Sequence, residues 1–182
     1  MSVDEDTCWI CFEDNDDLIS VCKCPSKVHK RCLARWQVQN IGEDEENKCR
    51  FCKQSFPNWK ETFEIKNVET AVFKLCCNGR VSKVSVRLDS MEEFEETIRK
   101  LFRLPREQEF NIDYHCTVPD GSGSNITIKS QGLQMHQFQS AVYLANGNRN
   151  NIEKNENNSQ ATQSEPKDSF FRHIYKFFFS KN

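Results

Sequence analysis

The most constraining feature of the sequence is the stretch CKCPSKVHKRCLARW, which begins at Cys22 and contains three cysteines and a histidine within eleven residues. The chain has ten cysteines, and seven of them lie in its first 52 residues. Such a cluster indicates either a disulfide framework or a metal site. Because the N-terminal sequence MSVDEDTCWI is acidic and has no apolar run, we expect no export signal and a reducing, cytoplasmic environment. Metal binding is therefore the better explanation.

The candidate metal ligands of this region complete two tetrahedral sets. In chain order they are Cys8, Cys11, Cys22, Cys24, His29, Cys32, Cys49 and Cys52. A structural Zn²⁺ ion takes four thiolate or imidazole ligands, and a CxxC pair presents two sulfurs to one ion from a single turn. The pattern predicts two structural Zn²⁺ ions without an open coordination position, so the metals stabilise the fold and do no chemistry themselves.

The ligand order, four cysteines followed by one histidine and three cysteines, resembles two families of zinc finger. These are the RING-CH (RING-variant) finger of ubiquitin ligases and the PHD finger that binds histone tails. Ile10, just before the second ligand, and the sequence CLARW from Cys32 resemble the RING-CH form, whereas Asn47 stands where a PHD finger usually has an aromatic residue. Both resemblances imply a cross-brace. One zinc would be bound by Cys8, Cys11, His29 and Cys32, and the other by Cys22, Cys24, Cys49 and Cys52.

The RING-CH resemblance implies a function with its own contact residues. A RING-type E3 ubiquitin ligase binds a ubiquitin-loaded conjugating enzyme (E2) and promotes transfer to a lysine of a protein substrate. It accelerates transfer by positioning and forms no covalent intermediate of its own. The expected E2-binding residues are Ile10, Trp36 and Phe51, although Trp36 has core packing on the zinc-bound loops as its alternative. The acidic insert GEDEEN, from Gly42, is expected to be a solvated loop.

Two features of the finger depart from the RING-CH pattern. Only four residues separate Cys24 from His29, a spacing closer to that of PHD fingers. Arg50 and Lys53 stand where RING proteins commonly have proline and arginine, and this difference would weaken catalysis. A non-catalytic zinc-finger module, either a PHD-like histone-tail reader or an inactive RING scaffold, therefore stays open as the alternative function.

Beyond Pro57 the cysteine pattern gives way to hydrophobic periodicity. Alternating apolar residues on both sides of an Asn-Gly pair predict a β-hairpin over residues 71–88. A helix is expected from Ser90 to Leu104, with Glu93 completing a capping box. Three further strands are predicted at 110–118, in NITIKS and at 141–145. This order resembles a ubiquitin-like or PB1 β-grasp domain, and in a PB1 domain Lys74 would face an acidic partner; an ordinary solvated lysine is the alternative.

The remaining sequence is polar and then aromatic. The Asn-rich segment 147–167 is expected to be disordered because it has too little apolar surface to order itself. Residues 168–182 are predicted to form an amphipathic aromatic helix, which would lie in a membrane interface, insert into a partner's groove or fold back on its own domain. This segment is too short to span a membrane, so the expected location is cytoplasmic and peripheral to a membrane at most. The formal net charge of −2 gives no reason to expect nucleic-acid binding.

The sequence as a whole thus predicts an α+β protein. The expected divisions are a RING-CH-like finger at 1–60, a connector at 61–70, a β-grasp domain at 71–146, a linker at 147–167 and a helix at 168–182.

Overall fold

The computed structural model describes residues 7–14, 17–66, 68–77, 79–156 and 174–179. The chain divides into two compact units, Met1–Lys66 and Asn67–Asn182. The boundary between them lies inside the predicted connector. Over the described ranges, the helices are too short or too polar to cross a membrane.

The first unit is built from short elements around the cysteine-rich loops. Its elements are β1 (Leu18–Ile19), β2 (Val28–His29), α1 (Lys30–Gln39), a 3-10 turn (Asp44–Glu46) and α2 (Trp59–Thr62). Strands β1 and β2 pair antiparallel. The buried residues of α1 are Leu33, Ala34, Gln37 and Val38, which recur on one side of the helix. The hydrophobic core of the cysteine-rich part is small and consists of Cys8, Val28 and Leu33.

The acidic insert after Gly42 differs from the solvated loop that its composition predicts. Glu46 is 2% exposed, and its carboxylate accepts hydrogen bonds from Trp59 Nε1 at 3.0 Å and from Gly42 N at 3.1 Å. Gln37 donates to the carbonyl oxygens of Glu46 at 2.8 Å and of Pro57 at 2.9 Å. A buried carboxylate is stable only when its oxygens have such partners. Through these hydrogen bonds Glu46 links helix α1 to helix α2.

The second unit is a five-stranded mixed sheet with helices packed on one face. Its elements are β3 (Thr70–Cys77), β4 (Arg80–Arg87), α3 (Met91–Phe102), β5 (Phe110–Thr117), β6 (Asn125–Gln131), α4 (Met135–Glu156) and β7 (Ile174–Phe179). The strand order is β4-β3-β7-β5-β6. Phe73 of β3 contacts Phe94 of α3 and Phe138 of α4, at centroid distances of 5.5 and 6.2 Å. Both helices therefore cover the inner face of the sheet.

The hairpin and the first helix of this unit confirm their sequence predictions. Strands β3 and β4 pair from Thr70↔Arg87 to Cys77↔Arg80, and Gly79 in the connection has a φ of +78°. Helix α3 begins one residue after Ser90, but the predicted capping box is wrong. The Ser90 side chain makes no hydrogen bond to the helix and instead accepts from Arg87 N at 3.3 Å.

The strand predicted at 141–145 is wrong, because these residues lie in the middle of α4. A short apolar run is compatible with either a buried strand or a buried helix. The buried residues Phe138, Ala141 and Val142 lie three and four residues apart, which is the helical spacing. The first ten residues of the predicted linker, 147–156, also belong to α4, and its remainder, 157–167, lies outside the described residues.

The predicted helix at 168–182 is also wrong where the structure describes it. Ile174–Phe179 forms β7, which pairs in parallel with β3 and antiparallel with β5. The run IYKFFF consists mostly of β-branched and aromatic residues, which favour strands. In addition, a strand at this position is hydrogen-bonded on both sides. The membrane-interface and groove-binding interpretations of this segment depended on a helix, so both lose their basis over these six residues.

Candidate metal centre and adjoining surface

The eight predicted ligands lie in two groups of four. Within each group, one potential ligand atom from every residue lies within 4.8 Å of the others. The groups are Cys8, Cys11, His29 and Cys32, and Cys22, Cys24, Cys49 and Cys52. These are the two sets implied by the cross-brace resemblance, so ligands distant in sequence come together as it requires.

The distances between ligand atoms fit tetrahedral zinc. His29 Nδ1 lies 3.3 Å from Cys11 Sγ and 3.7 Å from Cys32 Sγ, and Cys24 Sγ lies 3.8 Å from Cys49 Sγ. With Zn–S bonds of about 2.3 Å and Zn–N bonds of about 2.0 Å, tetrahedral angles separate two sulfurs by about 3.8 Å and a sulfur from a nitrogen by about 3.5 Å. The two groups therefore fit two structural zinc ions, and each group supplies four ligands.

The two CxxC pairs are held by the same backbone arrangement. We call Cys8–Glu13 the first knuckle and Cys49–Gln54 the second knuckle. In the first, Cys8 N donates to Glu13 O at 2.9 Å and Phe12 N donates to Cys8 O at 2.8 Å. In the second, Cys49 N donates to Gln54 O at 2.9 Å and Lys53 N donates to Cys49 O at 3.0 Å.

Each knuckle also has one residue in the left-handed region of the backbone. Phe12 has a φ of 62° and Lys53 a φ of 59°. Both residues directly follow the second cysteine of their pair. The sequence gives no sign of this conformation, because glycine is the residue that normally supplies it.

Backbone hydrogen bonds lower the pKa of Cys8 in the first group and of both Cys49 and Cys52 in the second. Burial raises the pKa of Cys8, but hydrogen bonds from the backbone, including that of Cys11, outweigh it and lower the pKa to about 6. The backbone of Gln54 does the same for Cys52, whose pKa is lowered to about 6 against the effect of burial. Metal ligation requires thiolates, so Cys8 and Cys52 lose the thiol proton most readily on binding zinc.

Other thiols are held neutral by their surroundings. Burial and the neighbouring thiol of Cys52 raise the pKa of Cys24 to about 12. Burial and the thiol of Cys11 likewise raise the pKa of Cys32 to about 12. A bound divalent cation supplies the positive charge that four such ligands require when they are brought together.

His29 differs from the cysteines in having a second polar ring atom. Its Nδ1 faces the sulfurs of Cys11 and Cys32, while Nε2 is buried without a hydrogen-bond partner among the described residues. Metal-bound histidines usually donate from their other ring nitrogen. In this site the histidine thus contributes one ligand atom, with no supporting hydrogen bond seen in the described part of the chain.

An aromatic cluster lies beside the metal ligands. Trp36 of α1 is half-buried and contacts Trp9 edge-on at 5.6 Å and Phe56 at 6.0 Å. Ile10, Trp36 and Phe56 all pack against the core of Cys8, Val28 and Leu33. Part of Trp36 therefore packs on the zinc-bound loops, as the core-packing alternative predicts, and part remains accessible, while its contact with an E2 stays a prediction.

The third predicted contact residue, Phe51, is 80% exposed. It precedes the second cysteine of its knuckle, as Ile10 does in the first. Sequence reasoning missed Phe56, which supports Trp36, and Phe12, which is 79% exposed. The only signal for Phe12 was its position directly after a metal ligand.

Comparison with known protein families gives the class of the first unit. Residues 8–52 match the model of the RING-variant domain. The match begins at the first predicted ligand and ends at the last, so this part of the chain is a RING-variant domain. Searches of curated proteins and of solved structures found no match to the chain.

Proposed function

We propose that the protein is a RING-type E3 ubiquitin ligase. The proposal rests on the match of residues 8–52 to the RING-variant domain. This match spans two zinc sites, and the protein supplies all four ligands of each site. Closed metal sites cannot bind a substrate. The finger would therefore act by holding a ubiquitin-loaded E2 so that a substrate lysine attacks the thioester, which is catalysis by positioning.

The proposed E2-docking surface consists of Ile10, Trp36 and Phe51. The edge-on contacts of Trp36 with Trp9 and Phe56 fix the orientation of its ring. A rigid, partly exposed tryptophan binds at low conformational cost, and such residues dominate protein interfaces. Ile10 and Phe51, at equivalent positions of the two knuckles, would flank it.

We propose that the second unit is a β-grasp domain that chooses a partner or substrate. The hairpin, the helix on one face and the central parallel pair of β3 and β7 support this interpretation. Lys74 lies directly opposite Lys83 in the hairpin. Two cationic side chains therefore lie at opposing positions of this hairpin, and a partner with carboxylates would have the complementary charge. We further propose a reducing, cytoplasmic location, because seven of the ten cysteines lie in the two zinc-ligand groups, and cysteines that hold metal are typical of such a compartment.

An inactive RING scaffold is the second candidate, and Arg50 favours it. Arg50 occupies the position where RING proteins commonly have proline. Its guanidinium pairs with Glu45 at 3.8 Å and lies 6.0 Å from the centre of the Phe51 ring. An arginine above Phe51 would change the docking face from apolar to cationic. A scaffold would keep both zinc ions and still fail to promote ubiquitin transfer.

The test is ubiquitin-chain synthesis by the full-length protein with a panel of E2 enzymes. Trp36→Ala should retain two zinc ions but lose most chain synthesis, because the anchor of the docking surface is removed. Val81→Ala, which truncates a residue of the second unit that is 53% exposed, is the control and should remain active. Unchanged synthesis by Trp36→Ala, with zinc retained, would remove Trp36 from the docking surface.

A further inference from the structure

We propose that Phe12 and the carboxylates that follow it form a second part of the docking surface, selective for an E2 with a basic docking face. This inference rests on the proposed function, because the partner is the E2 itself. The complementary feature on that partner would be an apolar pocket rimmed by lysine or arginine. Phe12 would enter the pocket, and Glu13, Asp14 and Asp17 would face the rim.

The first argument is the backbone conformation of Phe12. The knuckle requires a left-handed residue after its second cysteine, as the matching φ values of Phe12 and Lys53 show. Glycine meets this requirement without steric cost, whereas a bulky residue at positive φ is a genuine outlier. Since lysine occupies the equivalent position of the second knuckle with the same conformation, the backbone does not explain why Phe12 is a phenylalanine.

The second argument is that the fold gains little packing from the Phe12 ring. Phe12 is 79% exposed, in contrast to Trp36 and Phe56, which pack on the core of the finger. Aromatic side chains usually stabilise a protein by being buried in its core. Because the Phe12 ring is exposed, we infer that it contacts another molecule. Aromatic residues are enriched in the centres of protein interfaces for this reason.

The third argument is the charge around Phe12. Residues 1–22 contain seven carboxylates and no lysine or arginine, the first basic residue being Lys23. Glu13, Asp14 and Asp17 are all exposed. The zinc site that includes Cys11 adds to this charge, since three thiolates and one neutral imidazole outweigh a divalent cation by one unit. An exposed aromatic residue followed along the chain by exposed carboxylates would complement a cationic surface with an apolar centre.

The experiment measures the affinity of the full-length, zinc-loaded protein for purified E2 enzymes with basic and with acidic docking faces. Phe12→Gly should weaken binding to the basic E2 by about tenfold or more, as expected for loss of an interface anchor. Arg103→Gly is the matched control, because it places glycine at another exposed residue with a left-handed backbone, φ 55°, in the second unit and removes no aromatic ring. It should leave the affinity within about twofold, the range of neutral interface positions.

Charge reversal provides an independent measurement. Asp14→Lys combined with Asp17→Lys should weaken binding to the basic E2 and reduce the dependence of affinity on salt, because fewer charge pairs remain to be screened. The same double variant should bind an E2 with an acidic docking face more tightly. Two zinc ions per chain in every variant would confirm that the finger is intact.

The outcomes separate this inference from the proposed function. Equal affinity of wild type and Phe12→Gly for every E2 that binds would overturn the inference and leave the ligase proposal standing. If the charge-reversed variant bound both basic and acidic E2 enzymes at low salt with the same affinities as the wild type, the role of the carboxylates would be overturned in the same way. If the wild-type protein bound no E2 at all, the proposed function would fail, and this inference with it.

Discussion

The surroundings of His29 indicate which of its two ring nitrogens would bind zinc. The sequence places it among the cysteines, and the resemblance assigns it to the first zinc site. The structure adds that only Nδ1 faces the sulfurs and that Nε2 is buried without a partner in the described part of the chain. A residue in this position needs to supply one ligand atom and nothing more.

We therefore expect His29→Cys to keep both zinc ions. The substitution replaces one nitrogen ligand by a thiolate, which zinc accepts equally well. It also removes Nε2, and a buried polar atom without a hydrogen-bond partner destabilises the fold. His29→Ala, which supplies no ligand, should bind one zinc ion per chain. Metal analysis of the purified variants distinguishes the two results, and loss of a zinc ion from His29→Cys would show that the imidazole has a further role.

Glu46 shows where residue-level prediction from sequence fails. Its neighbours are acidic and turn-forming, so nothing in GEDEEN distinguishes the one carboxylate that becomes buried. The distinguishing factor is tertiary: Trp59 and Gly42 bring two N–H groups to the two carboxylate oxygens.

Glu46→Gln should lower the free energy of unfolding of the first unit by about 1–3 kcal/mol. The amide retains one acceptor oxygen but turns an NH₂ group toward one of the two donors, which leaves a buried donor without a partner. Glu45→Gln is the control, because the side chain of Glu45 forms a 3.8 Å ion pair with the exposed Arg50, and surface ion pairs contribute little to stability. Denaturant unfolding of both variants gives the measurement, and equal stability would contradict the structural role of Glu46.

A helix or strand could be predicted from sequence where the hydrophobic pattern of the segment fits one of the two and excludes the other. Apolar residues recur at alternate positions on both sides of Asn-Gly in 71–88, and 91–102 have helical spacing, so both were predicted correctly. The segment AVYLA is too short to show either period, and IYKFFF is apolar in nearly every position. The structure assigns these two in the opposite way: the first is in α4, and the second is the strand between β3 and β5.

The position of β7 leads to a test at the level of the strand. Lys176 pairs with Cys76 of β3 and with Asp113 of β5. Because proline has no N–H and is confined to the edges of sheets, Lys176→Pro should destabilise the second unit by about 1–3 kcal/mol, the cost of leaving a hydrogen-bonding group of the sheet without its partner. Lys176→Ala, which keeps the backbone N–H, should have a much smaller effect. Both variants should retain two zinc ions. Equal stability of the two variants would contradict a central position for β7.

At the scale of the whole molecule, the two units differ in what the sequence reveals. The finger has little core, and its fold is determined by eight ligands whose types and spacing are visible in the sequence. The second unit is determined by packing, so its strand order follows from which apolar segments pair, and residue patterns do not specify that. The aromatic cluster of Trp9, Trp36 and Phe56 lies between these cases, because only Trp36 belongs to a recognisable motif.

The central claim is that the two-zinc finger accelerates ubiquitin transfer without a nucleophile of its own. The most direct measurement is single-turnover discharge of ubiquitin from a loaded E2 to free lysine, with and without the full-length protein, and with zinc content determined on the same sample. The account predicts two zinc ions per chain and faster discharge with at least one E2 of a broad panel. Two zinc ions with no acceleration for any E2 would contradict the ligase and favour the inactive scaffold.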